Sequence, residues 1–170
     1  GKEGFKIKSI DNGFLSRVSI SLGSYGKAIY IKHNDGTTSV YAHLKKFSNK
    51  IEEIIKRFQY ENKTFVLNKF FKENDIIIKK NEIIGYSGNT GGSSGPHLHF
   101  EIRDSKTQNV LNPHLFGYKP SDSKEPVIKK IILYTLNEFE RFENNKLKKN
   151  IPFKVISNSK VITDSINYIG

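Results

Sequence analysis

Two seven-residue runs, Lys27 to His33 and Thr37 to His43, flank Asn34-Asp35-Gly36, and this arrangement constrains the fold more than any other part of the chain. An Asp-Gly pair between two strand-like runs is a strong hairpin signal. Upstream, Phe5 to Ile10 and Phe14 to Leu22 alternate apolar and polar residues across a second turn triplet, Asp11-Asn12-Gly13. The first part of the chain therefore reads as an antiparallel meander.

From Ser48 to Tyr60 the period changes. Ile51, Ile54, Ile55 and Phe58 recur at helical spacing, with Ser48 or Asn49 as cap and Glu52 and Glu53 in the first turn. Strand-like runs resume at Thr64 to Phe70, Asp75 to Ile78, Glu82 to Tyr86 and His97 to Arg103. The polar, Pro-rich stretch 119–126 reads as a linker. Beyond it, Val127 to Leu136, Phe153 to Ile156 and Val161 to Ile169 read as further strands, while Asn137 to Asn150 is charged and fits helix or loop. The expected fold is mainly β. An antiparallel core with one inserted helix occupies residues 1–118, and an incomplete β-rich unit occupies 127–170. No internal repeat is present.

Composition narrows the chemistry. With 170 residues, 36% of them apolar and 12% aromatic, the chain can bury a sizeable core. It contains no cysteine, which excludes disulfides, thiolate nucleophiles and thiolate metal sites, so any metal must be held by His, Asp or Glu. It contains no methionine and starts at Gly1, which reads as a processed or truncated piece of a longer product. No stretch approaches the roughly 18 to 20 apolar residues of a membrane span. The net charge of +11 comes mostly from dispersed lysines, without a basic helix or an aromatic-basic motif, so nucleic-acid binding is not expected. The charge instead suits retention on an anionic envelope.

Of the five histidines, His97 and His99 carry the most information. On an extended strand, His97, His99 and Glu101 share one face while Leu98, Phe100 and Ile102 occupy the other. Such a pair can present two nitrogens to one metal ion, or one to the metal and one to its water; two hydrogen-bonded surface histidines fit the spacing equally well. Asn89-Thr-Gly-Gly-Ser-Ser-Gly95 precedes the pair. No Gly-Lys-Ser/Thr follows and the next element is a strand, so a phosphate loop is excluded. A flexible loop, or a site wall whose backbone N–H groups meet a peptide, both remain. His43 ends its strand on the face of Thr37, Ser39 and Tyr41, where exposure is the ordinary outcome. His33 reads as structural and His114 as packed or exposed; Glu101, on the histidine face, reads foremost as a solvated charge, with support of the histidines from behind as the alternative.

Taken together, Tyr25-Gly-Lys-Ala-Ile-Tyr-Ile-Lys-His-Asn-Asp-Gly36, Ser39-Val-Tyr-Ala-His-Leu44, the run from Ile83 to Asp104 containing Gly-Asn-Thr-Gly and Gly-Pro-His-Leu-His-Phe-Glu, and Leu111-Asn-Pro113 resemble the lysostaphin-type, LytM-like zinc metallopeptidases. These endopeptidases cut peptidoglycan peptides. The resemblance covers roughly residues 5 to 118. It implies an antiparallel β metallopeptidase core with Zn²⁺ as cofactor, peptidoglycan peptides as partner, and a periplasmic or cell-envelope location. It further implies His99 as a zinc ligand, His97 and His43 as catalytic histidines that do not bind the metal, and Tyr41, Asn89, Gly91, Gly92 and Ser93 as substrate-binding residues.

The family completes its zinc site with a histidine and an aspartate near the start of the domain, and neither matches a residue here. Two explanations follow: the motif lies upstream of Gly1, or the protein is a non-catalytic module that binds peptidoglycan or activates another hydrolase. The intact His43, His97 and His99 favour the first. The run from Phe47 to Asp75 and the extension after Tyr118 resemble features of envelope members from Bacteroidetes-like bacteria.

Overall fold

The computed structural model describes residues 1–73, 75–118 and 130, and the strands at 131–134, 141–142, 148–151, 153–157, 160–163 and 168–169. They belong to two compact units, Gly1–Lys119 and Pro120–Gly170.

The first unit contains β1 (Lys6–Lys8), β2 (Gly13–Ile20), β3 (Lys27–His33), β4 (Thr37–Ala42), β5 (Leu44–Phe47), α1 (Asn49–Glu61), β6 (Leu67–Phe70), β7 (Ile77–Ile78), β8 (Ile83–Ser87), β9 (His99–Asp104) and β10 (Val110–Leu111). The larger sheet runs β10-β9-β4-β3-β2-β6, with β7 also on β2; the smaller runs β1-β8-β5. All of these pairings are antiparallel. Among the described residues the fold is thus mainly β with one α-helix, as the residue pattern indicates.

The meander holds for β2, β3 and β4 and fails at β1, which pairs with β8 in the other sheet. The Asp11-Asn12-Gly13 turn is where the chain changes sheets. Asn12 accepts from Lys80 N–H through its side chain and bonds the His33 ring through its carbonyl, while Ile10 N–H donates to the Tyr41 hydroxyl. These long-range partners fix the corner, and none is adjacent in sequence. His33, buried between Asn12 and Ser39, is structural.

One buried cluster joins a face of the larger sheet (Leu15, Val18, Ile29, Ile31, Tyr41) to the smaller sheet (Ile7, Leu44, Phe47, Ile84) and to Ile51 and Ile55 of α1. Fully burying each such side chain contributes about 1.5–3 kcal/mol, so this cluster dominates the unit's stability. Ser48 is the N-cap residue of α1 but its side chain makes no capping bond; Glu52 from the first turn accepts from Phe47 N–H instead. The opposite face of the larger sheet holds a smaller cluster of Ala28, Tyr30, Val40 and Ala42, with Tyr25 against it. That face carries His97 and His99, with His43 beside them.

In the second unit, β11 (Ile131–Tyr134) pairs with β13 (Lys148–Ile151), β12 (Arg141–Phe142) with β16 (Tyr168–Ile169), and β14 (Phe153–Ser157) with β15 (Lys160–Thr163). The stretch read as helix or loop is strand at Arg141–Phe142 and Lys148–Asn150; the rest of it, and the linker at 119–126, lie outside the described residues.

Candidate active site

β4 and β9 are neighbours, with Val40 opposite Glu101 and Ala42 opposite His99. Opposed residues present their side chains to the same face, so His99 and Glu101 lie on the Ala42 side of the sheet. His97 sits just before β9, bridged to Gly88. Strand alternation would send His43 to the Tyr41 face. It does not, because His43 has φ +57° and its backbone leaves the β region between β4 and β5. That conformation costs a non-glycine residue roughly 1–2 kcal/mol. His43 N–H donates to Tyr25 O at 2.9 Å and its ring bonds Thr90 O at 2.8 Å, and these two contacts offset the cost. The result is a three-imidazole cluster, with the His43 ring centre 4.7 Å from that of His97 and 5.7 Å from that of His99.

Hydrogen bonding fixes the tautomers. A carbonyl can only accept, so His43 Nδ1–H donates to Thr90 O and His97 Nδ1–H donates to Gly95 O at 2.8 Å. In the neutral ring each keeps its lone pair on Nε2, which has no protein partner among the described residues. His99 is the reverse: Nε2–H donates to Glu101 Oε1 at 2.5 Å, leaving Nδ1 with the lone pair. A carboxylate behind an imidazole in this way sets the ring's orientation and raises its basicity as a ligand.

Glu101 is the hub of this arrangement. It is buried, and it accepts from Tyr25 Oη at 2.5 Å, His99 Nε2 at 2.5 Å and Arg103 Nε at 2.6 Å, while Arg103 Nη2 reaches Tyr25 Oη at 3.1 Å. The expected solvated charge is therefore corrected to a buried, triply bonded carboxylate. Burial opposes its ionisation, but the bonds from Arg103, Tyr25 and His99 outweigh burial and hold its pKa at about 2 against the usual 4.5. The same bond raises the Tyr25 hydroxyl, whose proton is held by the carboxylate. A depressed carboxyl stabilises the fold fully above about pH 4.5 and loses that contribution as pH falls toward 2. Glu101→Gln is therefore expected to be less stable at neutral pH and to show a shallower loss of stability between these pH values, measured by urea unfolding across a pH series.

The other expected substrate-binding residues divide. Tyr41 is not at the cluster. It is buried on the opposite face, packs on Phe100 at 5.4 Å between ring centres, and its hydroxyl accepts from Ile10 N–H. Gly92 N–H is already donated to Ser24 O at 2.8 Å, so it is not free for a peptide. Gly91 has φ +77°, and an added Cβ there would lie 2.3 Å from Gly26 N; Gly26 in turn abuts Thr90. The glycines let the loop from Asn89 to Gly95 lock against the loop Ser24–Gly26. Ser93 Oγ stands 3.1 Å from His97 Nδ1, and Asn89 is exposed.

Residues 58–113 match the model of peptidase family M23. The chain carries a peptidase M23 domain. Among its relatives, the DD-carboxypeptidase/endopeptidase Mpg of Neisseria meningitidis is 36% identical over 48% of this chain and 13% of that protein. A metalloprotease of Buchnera aphidicola is 34% identical over 83% of this chain and 28% of that protein. The chain thus spans under a third of the length of these curated relatives. The catalytic domain of the antimicrobial peptidase lysostaphin from Staphylococcus simulans aligns over 68% of this chain and 72% of that domain, with 28% identity and a TM-score of 0.49.

A zinc site takes three protein donors and keeps one position open. His99 Nδ1 of the M23 domain meets the requirement for one donor, with its carboxylate partner in place. Among the described residues no group of three His, Asp or Glu could hold an ion, so they do not complete a site. The segment before β1 runs beside the cluster: Gly4 N–H donates to Ser87 O, Ser87 Oγ donates to Lys2 O, and Gly1 packs against the Pro96 carbonyl, one residue from His97. Tyr25 and Arg103 were not expected as site residues, and Glu101 was expected foremost as a solvated charge. The signal available for two of them is the polar series His99, Glu101, Arg103 on alternate positions of a strand whose other face is apolar.

Proposed function

We propose that the whole protein is a zinc-dependent endopeptidase that hydrolyses peptide cross-links of bacterial peptidoglycan in the periplasm or cell envelope. The observation that carries this reading is the convergence of His43, His97 and His99 on one sheet face, each with one ring nitrogen committed to an acceptor and the other presenting a lone pair. The names of the relatives, an endopeptidase and a metalloprotease, support it. No helix among the described residues is long and apolar enough to cross a membrane.

Zinc, when bound, polarises the scissile carbonyl and lowers the pKa of a water. The residues of this chain handle orientation and protons. His99, held by Glu101, contributes one ligand nitrogen. His97, exposed at the rim, accepts a proton from the attacking water at Nε2. His43, fixed to Thr90 through Nδ1–H, would donate only as the imidazolium, its Nε2–H bonding the developing oxyanion and passing to the departing amine, while the proton taken up by His97 balances the one released. The Tyr25 hydroxyl keeps its proton toward Glu101 and so acts in positioning rather than proton transfer.

The incomplete donor set among the described residues favours one second reading, a module that binds peptidoglycan without cutting it. Digestion of purified peptidoglycan by the whole protein separates the two. Release of new amino groups that stops on chelation and returns with Zn²⁺ is expected; retention on peptidoglycan without release would establish the binding module instead.

A further inference from the structure

The face that carries the histidines extends beyond them across β4, β3 and β2, and its far end is built from charge. At Ser16 β2 is bulged: Leu15 pairs with Ile31, yet Arg17 and not Ser16 pairs with Tyr30. A bulge re-aims side chains, and this one turns Arg17 onto the open face, in register through Tyr30 and Val40 with Glu101. The Arg17 guanidinium carbon lies 4.5 Å from the centre of the Tyr30 ring and 5.4 Å from that of Phe70, and Nε donates to Asn68 Oδ1 at 2.6 Å. Stacking and the Asn68 bond fix the plane of the group. Both Nη nitrogens remain without an acceptor among the described residues, four of the five N–H donors of the side chain. Lys32 lines the same cavity of about 270 Å³, together with Ser16, Tyr30, Phe70 and Ser105. Neither Arg17 nor Lys32 forms an ion pair among the described residues. Arg103 differs, since Glu101 already neutralises it.

We propose that this cavity is a subsite for a carboxylate of the substrate, with Arg17 as its principal donor and Lys32 as its second cation. This rests on the peptidase reading for a peptide lying across the sheet face, though not for the chemistry of the pocket. A preorganised guanidinium with two unpaired Nη groups suits the planar, bidentate carboxylate better than a neutral amide. Phe70, 63% exposed, offers an apolar wall to the carbon chain that bears the carboxylate. Three strand spacings of about 4.8 Å separate β2 from β9, placing the subsite about 14 Å across the sheet from the strand of His99, or about four residues of extended peptide. The protein therefore selects acidic peptides through a residue remote from the histidines.

The test uses the whole protein with chelator present, so that binding is read without cleavage, and fluorescein-labelled peptides of alanine and glycine. Each contains one glutamate, moved along the peptide, or glutamine at the same position. Fluorescence anisotropy is expected to show the best glutamate peptide binding about tenfold tighter than its glutamine twin at low salt. Arg17→Gln should reduce that ratio to about one or two, and Lys32→Gln, which leaves the Arg17 stack intact, should reduce it partly. Equal affinity of the two peptides for the unmodified protein, absence of binding, or a ratio unchanged in both variants would overturn the subsite. A glutamate preference that depends on Arg17, in a protein that releases nothing from peptidoglycan, would remove the hydrolytic reading and leave the subsite standing.

Discussion

His97→Ala in the whole protein is expected to retain its zinc and to lose about 10²- to 10⁴-fold in turnover, the usual contribution of a positioned acid or base. His99→Ala is expected to lose the metal as well as the activity. The contrast follows from the two tautomers. His97 spends Nδ1 on the Gly95 carbonyl, and its ring is exposed at the rim; His99 spends Nε2 on a buried carboxylate, the arrangement that orients a ligand. Metal content by atomic emission and turnover on purified peptidoglycan together read both outcomes. Normal turnover by His97→Ala would remove that histidine from the chemistry.

A methyl group at position 91 should be the most damaging small change outside the histidines. Gly91→Ala forces a residue with a side chain to hold φ +77° and drives its Cβ to 2.3 Å from Gly26 N and 2.5 Å from Ser24 O. The left-handed backbone alone costs about 1–2 kcal/mol, and the overlap adds about 1–3 kcal/mol, because both contacts are backbone and cannot rotate away. A total loss of about 2–5 kcal/mol is expected in urea unfolding. Activity should fall further than stability, since displacement of Thr90 withdraws the carbonyl that holds the His43 ring. An alanine variant with wild-type unfolding would show that the two loops separate at little cost.

The periodicity of the chain made local structure legible. The helix from Ser48, the Asp-Gly hairpin and the strand containing His99 all follow from spacing that a single element imposes on its own residues. Pairing between distant elements was not legible in the same way. Nothing near Phe5 to Ile10 indicates that it joins β8, and nothing near Thr37 to Ala42 indicates that its second neighbour is β9. The site shows the same division. Alternation placed His99 and Glu101 on one face, but it put His43 on the face of Tyr41 because it assumes β geometry at every residue, and His43 departs from it; the role that the resemblance implied for Tyr41 fails separately, because that side chain is buried in the core. Glu101 was misjudged for a related reason. A carboxylate reads as solvated until its partners are known, and Tyr25 is 76 residues away in sequence.

The contact between Gly26 and Gly91 makes two segments, 65 positions apart in the chain, a single unit of inheritance. Neither loop can be transplanted from a relative without its counterpart, because the incoming side chains would meet a surface shaped for their absence. Substitutions at Ser24–Gly26 and at Thr90–Gly92 should therefore covary, and chimaeras should succeed only when both loops come from the same parent.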